Sequence, residues 1–200
     1  YTVSGDRVRL NVGNYDNTKP LFIDPVVLFS ERILGGSSSD YHAETHEDAS
    51  GFYFSGLTFS SNFPTTPGAF DTTYSGVEIF ASKVSADYQT LVYSTYIGSN
   101  SSDYGGNSAL QSDGTLWLVA STLDDFSWPK TTGPYGATGS YDHGIFHLSA
   151  DGSSMVAGTV VGSSSTDYAA DIELDGANNV LVTGTTISSA FPTVAGCDTG

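Results

Sequence analysis

Two of the four histidines of the chain and three carboxylates fall within seven residues, in the segment HAETHED at 42–48. On a β-strand, side-chain alternation would send His42, Glu44, His46 and Asp48 to one face. Imidazole and carboxylate groups together suit zinc and related ions. Neighbours on one face of a strand lie about 7 Å apart, so adjacent pairs chelate poorly, and the spacing is not the His-Glu-x-x-His of a zinc helix. We therefore expect a solvated polar strand at one end of a repeat array, with a structural or catalytic metal as the alternative.

A second set of carboxylates follows Ser- and Thr-containing turns. Asp40, Asp103 and Asp167 each follow Ser or Thr and precede Tyr. One hypothesis is a cation site or a ring of carboxylates, but we favour side chains that cap the backbone amides of their turns. Asp124 and Asp125 form an acidic pair in a predicted loop. Calcium takes such oxygen ligands, although the sequence has no Asp-x-Asp-x-Asp-Gly calcium loop.

Nothing in the sequence marks a nucleophile. It contains no Gly-x-Ser-x-Gly turn, phosphate-binding loop or dinucleotide fingerprint. The single cysteine, Cys197, cannot form an internal disulfide and has no basic neighbour to favour its thiolate. His143 and His147 flank a predicted strand, where a histidine satisfied by its surroundings is commoner than a catalytic base. We therefore predict no catalytic residues and no cofactor, with calcium as the open alternative.

The composition favours strands and turns. The 200 residues include 23 glycines and are 38% hydrophobic, enough for a substantial core. Short apolar runs such as TLWLVAS (115–121) lie between Gly, Asp, Ser and Pro clusters, and Asp113-Gly114 and Asp151-Gly152 are predicted hairpin turns. The 22 acidic and 6 basic residues give a net charge of −16, which repels nucleic acid and anionic membranes. No apolar run reaches the roughly 20 residues of a membrane-spanning helix.

The sequence also repeats itself. Ser-Ser-Asp-Tyr at 38–41 recurs at 101–104 and, as Ser-Thr-Asp-Tyr, at 165–168, so the aspartates are 63 and 64 residues apart. Three further elements keep this spacing: GFYFSG (51–56), TLWLVA (115–120) and NVLVTG (179–184); EIFASKVSAD (78–87) and DHGIFHLSADG (142–152); and VLFSERILGG (27–36), LVYSTYIGS (91–99) and MVAGTVVGS (155–163). Each repeat therefore carries about four short strands, which predicts an all-β repeat protein.

The connections between these elements contain proline and aromatic residues. Stacking on sugars is one role for such side chains. Because the same residue class recurs at one position of the repeat, we favour packing of each repeat on the next, and keep Trp128 and Tyr135 as candidate ligand-binding residues. The aromatic residues of the connections are Phe63, Phe70, Phe126, Trp128, Tyr135 and Phe191.

The repeat resembles the SBBP, or beta-propeller, repeats of secreted and surface proteins of bacteria and some archaea. The segments VYSTYIGSNSSDY (92–104), SSNFPTTPGAF (60–70) and FHLSADGS (146–153) carry the resemblance. It implies β-propeller-type repeats of four-stranded blades, about three blades at 26–88, 89–152 and 153–200, the third incomplete. Residues 1–25 are similar to the strand-rich lead-in segment before such repeats. Closed propellers typically have about 4 to 8 blades, so we expect a fragment of a longer propeller or a subunit of an assembly.

These observations predict an extracellular or cell-surface structural or interaction protein without enzymatic activity, which assembles through strand edges. The expected partners are other protein chains or the remaining blades of a longer propeller, and neither nucleic acid nor a membrane interior. One alternative is a carbohydrate-binding or adhesive module that depends on calcium, with glycans as partners. Another is a fragment of a propeller hydrolase or lyase.

Overall fold

The structure, a computed structural model, describes residues 2–4, 7–9, 18, 34–136 and 139–193. The chain divides into two compact units, Tyr1–Arg32 and Ile33–Gly200. In the first unit, strands β1 (Thr2–Ser4) and β2 (Arg7–Arg9) form an antiparallel hairpin within the predicted lead-in segment. Residues 27–33 of the predicted strand element at 27–36, and Cys197, lie outside the described residues.

The described part of the second unit consists of strands and connections without a helix, as the sequence predicts. Ten strands form three antiparallel sheets, each in chain order. Sheet 1 contains β3 (Asp40–Asp48), β4 (Gly51–Thr58), β5 (Glu78–Ser85) and β6 (Leu91–Ile97); sheet 2 contains β7 (Asp103–Leu110), β8 (Leu116–Thr122), β9 (Asp142–Leu148) and β10 (Met155–Val161); sheet 3 contains β11 (Asp167–Leu174) and β12 (Val180–Thr186).

Two of the hairpins have the Asp-Gly turns that the sequence predicts. Gly114 and Gly152 have φ values of +85° and +71°, the left-handed region that glycine enters without steric cost. In the first turn the Asp113 carboxylate accepts hydrogen bonds from the backbone N–H of Thr115 at 3.0 Å and from its hydroxyl at 2.6 Å. The side chain thus fixes the turn and the register of β7 on β8.

The period seen in the sequence is also a period of the backbone. Each sheet begins at an aspartate of the Asp-Tyr pair, and its first strand carries a β-bulge three residues later. The bulges lie between His42 and Glu44, between Gly105 and Asn107, and between Ala169 and Asp171. Strand β6, which opens the second sequence repeat, is hydrogen-bonded as the last strand of sheet 1, and β10 has the same place in sheet 2.

Neighbouring sheets pack on each other through their faces. The largest apolar cluster combines Tyr53 and Ile79 of sheet 1 with Leu116, Leu118 and Phe146 of sheet 2, all fully buried. Each such side chain contributes about 1.5–3 kcal/mol through burial. A smaller cluster joins sheet 2 to sheet 3, and a third covers the opposite side of sheet 1.

Glycine permits the closest approach between sheets 1 and 2. Gly106, the bulge residue of β7, has φ of +101°, and an ideal Cβ there would lie 2.5 Å from the carbonyl oxygen of Gly56. A larger residue would push the two sheets apart. The three sheets form no closed ring within the described residues, so the structure supports stacked antiparallel sheets and leaves the propeller as a proposal.

Candidate functional site

The segment HAETHED lies on β3, but the bulge changes which side chains share a face. His42 is paired with Gly56 and Glu44 with the adjacent Ser55, so the two side chains point to opposite faces. His42 Nε2 lies 2.7 Å from the Thr45 hydroxyl on its own face. The expectation that His42 shares a face with Glu44, His46 and Asp48 is therefore wrong, because strict alternation ends at the bulge.

Glu44, His46 and Asp48, which do share a face of β3, each have a partner within the protein. His46 Nε2 lies 2.9 Å from the Ser108 carbonyl oxygen and 3.0 Å from its hydroxyl, which joins sheet 1 to sheet 2. Asp48 accepts hydrogen bonds from the Ser50 N–H at 2.7 Å and from the Tyr53 hydroxyl at 2.8 Å. Hydrogen bonds from Ser50 and Tyr53 lower the pKa of Asp48 to about 2. Asp48 thus stabilises the hairpin between β3 and β4, and His46 stabilises the contact between sheets 1 and 2.

Glu44 of β3 has an equivalent residue at the same repeat position in β7 and in β11, the first strands of sheets 2 and 3. Asn107 Nδ2 lies 3.4 Å from Glu44 Oε1 on one side and 3.5 Å from Asp171 Oδ1 on the other. These three residues follow the bulge in their strands, and we call them the polar row. One amide therefore links two carboxylates from the neighbouring sheets.

The aspartates that begin the first strands cap the turns before them. The donor in each case is the residue four positions earlier: the N–H of Gly36 to Asp40 at 2.7 Å, the N–H of Ser99 to Asp103 at 2.6 Å and the hydroxyl of Ser163 to Asp167 at 2.7 Å. Asp103 and Asp167 are fully buried, and burial raises the pKa of Asp103. Asp40 and Asp103 thus cap backbone amides, which is the favoured role, whereas the contact of Asp167 is to a side-chain hydroxyl.

Two buried carboxyl groups lack any sequence prediction. Glu78 and Asp142 are the first residues of β5 and β9, at the same position of the repeat, and both are almost completely buried. Burial raises the pKa of Glu78 to about 8, with smaller contributions from Asp71 and Asp103. Burial raises the pKa of Asp142 to about 7, and its hydrogen bond with Asp125 adds to the rise. The signal available in the sequence was an acidic residue opening an apolar strand in two repeats.

The aromatic residues of the connections divide into buried and exposed ones. Trp128 is 1% exposed and lies against Gly144, where an ideal Cβ would be 2.6 Å from the indole ring. This burial corrects the expectation of an accessible stacking face at Trp128. Tyr135 is exposed, and Phe126 is 94% exposed beside a pocket of about 330 Å³ that Asp124 and Asp125 also line. Of the proposed ligand-binding pair, only Tyr135 has its ring in solvent.

Four tyrosines lie where the first strands begin. Tyr41, Tyr104 and Tyr168 follow the three capping aspartates, and Tyr141 lies between the last two, with ring centroids 6.0 Å from Tyr104 and 5.3 Å from Tyr168. We call these four residues the tyrosine rim. The three repeated tyrosine residues are 57%, 39% and 49% exposed. The recurring Asp-Tyr pair marks them in the sequence, although exposure could not be read from it.

Both histidines of β9 are buried, but Nε2 of each has no hydrogen-bond partner among the described residues, so the expectation of satisfied strand histidines is not met. His147 stacks on Trp117 with centroids 4.0 Å apart, and His143 lines a pocket of about 230 Å³ with Phe191. Burial lowers the pKa of both imidazoles. In the part of the chain that the structure describes, no group of three His, Cys, Asp or Glu side chains is arranged to hold a metal ion. No helix among those residues is long and apolar enough to cross a membrane.

Comparison with known proteins adds no assignment: no family model matches the chain, and no curated protein matches its sequence.

Proposed function

We propose that the chain is a non-enzymatic structural and interaction protein of the SBBP beta-propeller type, which acts at the cell surface or outside the cell. Its partners are strands and sheets of the same kind, supplied by a second copy or by further repeats. The resemblance of the repeat segments supports the class and the location. The use of the polar residues of β3 in hairpin and intersheet contacts supports a structural role.

The assembly proposal rests on sheet 3, because no described residue covers the face that is equivalent to the covered faces of sheets 1 and 2. Ser55 of sheet 1 and Val119 of sheet 2 occupy one position of the repeat and are buried by the following sheet. The equivalent Thr183 is exposed, and its neighbour Leu181 is 53% exposed. Within the described residues, β12 also has no strand on its outer edge.

Such an edge and face favour association. A row of unpaired backbone N–H and C=O groups is a template for another strand, and apolar side chains beside it gain free energy on being covered. Packing of a second copy on the open face of sheet 3 would repeat the contact that joins sheet 2 to sheet 1. Pairing of a strand with the edge of β12 would extend sheet 3 beyond two strands, toward the four strands of sheets 1 and 2.

Light scattering over a concentration series tests this proposal. We expect the natural chain to exceed its 20.9 kDa monomer mass as concentration rises, and the double variant Leu181→Lys, Thr183→Lys to remain monomeric. The matched control is Val92→Lys, Val156→Lys, which adds the same charge at exposed positions of the outer strands β6 and β10. Equal behaviour of the two variants, or a natural chain that is monomeric at every concentration, would reject assembly through sheet 3.

A second candidate, glycan binding, is favoured by the exposed rings of Phe126 and Tyr135. Sugar rings stack on such side chains, and the carboxylates of the adjacent pocket would accept hydroxyl groups or coordinate calcium. A thermal shift with oligosaccharides that needs calcium and disappears in Phe126→Ser would support it. An unchanged melting temperature with and without calcium would reject it.

A further inference from the structure

Three members of the tyrosine rim recur at one position of the repeat, and all three are exposed to solvent. Tyr41, Tyr104 and Tyr168 occupy the second position of three equivalent strands, and more than a third of each residue is exposed to solvent. Apolar residues adjoin them where the second strands end: Phe59 lies 6.1 Å from Tyr41 between ring centroids, and Leu123 and Ile187 follow at the same position. Tyr141 packs against both Tyr104 and Tyr168, yet the three repeated tyrosines still present aromatic surface to solvent at the same place in each repeat.

The strand register places carboxylates on the same side as these rings. Tyr41 and Glu44 are paired with Leu57 and Ser55, two positions apart on β4, so both point to one face of sheet 1. Tyr168 and Asp171 have the same relation on β11, opposite Thr185 and Thr183. Along β3, β7 and β11, the tyrosine rim therefore comes first and the polar row follows it. The two ends of the polar row are the carboxylates of Glu44 and Asp171.

No positive charge of the described second unit neutralises this surface. In residues 34–136 and 139–193 the only lysine or arginine side chains are Lys83 and Lys130. Lys83 donates to the Tyr53 hydroxyl at 2.8 Å, and Lys130 donates to the backbone carbonyls of Asp125 and Phe126. The chain as a whole has a net charge of −16.

We propose that the tyrosine rim and the polar row together bind a cationic peptide segment rich in arginine or lysine. The electron-rich faces of tyrosine attract guanidinium and ammonium groups, and the carboxylates of Glu44 and Asp171 complement the same charge. The overall acidity of the chain steers such a partner toward it. Asp171 is paired with Thr183 and so lies on the open face of sheet 3. A bound peptide and assembly through sheet 3 therefore compete at that end of the surface, whereas Tyr41, Tyr104 and Glu44 belong to sheets 1 and 2.

The test measures binding of a fluorescein-labelled oligo-arginine peptide to the full chain by fluorescence anisotropy. The triple variant Tyr41→Ser, Tyr104→Ser, Tyr168→Ser keeps the net charge, so general electrostatic attraction is unchanged. We expect about tenfold weaker binding, the effect of losing two or three exposed cation–aromatic contacts. The matched control Tyr88→Ser removes another exposed tyrosine, from the turn between β5 and β6, and should bind as the natural chain does.

A second variant and a second ligand keep the proposal falsifiable. Replacement of the same three tyrosines by phenylalanine retains the ring faces and should retain affinity for the peptide. Equal affinity of the natural chain and the serine variant would overturn the proposal, as would a loss in the phenylalanine variant as large as in the serine variant. Binding of a neutral oligosaccharide that depends on the three tyrosines, without tyrosine-dependent binding of the peptide, would assign the rim to glycans and also overturn it.

Discussion

Replacement of Glu78 by glutamine should remove a large part of the pH dependence of stability. The Glu78 side chain is 1% exposed, Oε1 accepts the Ser75 N–H at 3.1 Å, and Oε2 has no hydrogen-bond partner. The acidic and phenolic groups around it are Asp71 from the connection, Asp103 from β7, and Tyr74 and Tyr96. None of them offers a positive charge, so the protonated form is favoured in the folded protein.

The direction and size of the effect follow from linkage between protonation and folding. The pKa of Glu78 is raised from 4.5 to about 8 in the folded state. Its stabilising contribution is therefore complete below the unfolded pKa of 4.5 and is lost as the pH rises through about 8. Between about pH 5 and about pH 9 the loss is about 4 kcal/mol.

Urea unfolding at a series of pH values, followed through tryptophan fluorescence, measures this contribution. At pH ~5 the natural chain and Glu78→Gln should have similar free energies of unfolding, and at pH ~9 the variant should be more stable by a few kcal/mol. The control Glu47→Gln removes the same charge from an exposed position of β3 and should follow the natural chain. Parallel pH profiles for the natural chain and Glu78→Gln would refute a buried, protonated carboxyl group.

Three further substitutions test individual contacts. Gly144→Ala places a methyl group against the Trp128 ring and should cost about 3 kcal/mol in urea unfolding, with altered tryptophan fluorescence; an unchanged midpoint would contradict the packing. Asp48→Asn should destabilise the protein at neutral pH, and the difference should shrink as the pH falls from 3.8 to about 2, because the lowered pKa stabilises only the charged form; a difference independent of pH would contradict this. His46→Ala removes the intersheet contact to Ser108 and should cost about 1 kcal/mol; full stability of that variant would show that the contact is not significant.

The sequence was most informative about what repeats. The spacing of the Asp-Tyr pairs predicted the equivalent strands, and the Asp113-Gly114 turn predicted one hairpin, because local backbone chemistry determines both. The bulge between His42 and Glu44 was not predictable. It depends on how β3 pairs with β4, and it reverses the face on which every preceding residue of β3 lies.

Burial was the other property that the sequence could not supply. Trp128 and Phe126 stand two residues apart in one connection, yet one is buried and the other almost fully exposed. That difference arises from the close contact of Trp128 with Gly144 of β9, which is distant in the sequence. The raised pKa of Glu78 likewise results from its burial, with smaller contributions from Asp71 and Asp103. The acidic residue that opens an apolar strand is visible in the sequence, but its burial is not.

Hydrogen–deuterium exchange of the β12 amides, Val180–Thr186, tests assembly through sheet 3 most directly. In an antiparallel pair, alternate amides of β12 face β11 and the others face its outer edge. The account predicts that the outward-facing amides exchange rapidly in dilute solution and become protected at high protein concentration, as a partner strand pairs with them. Exchange of these amides at the same rate at both concentrations would contradict it.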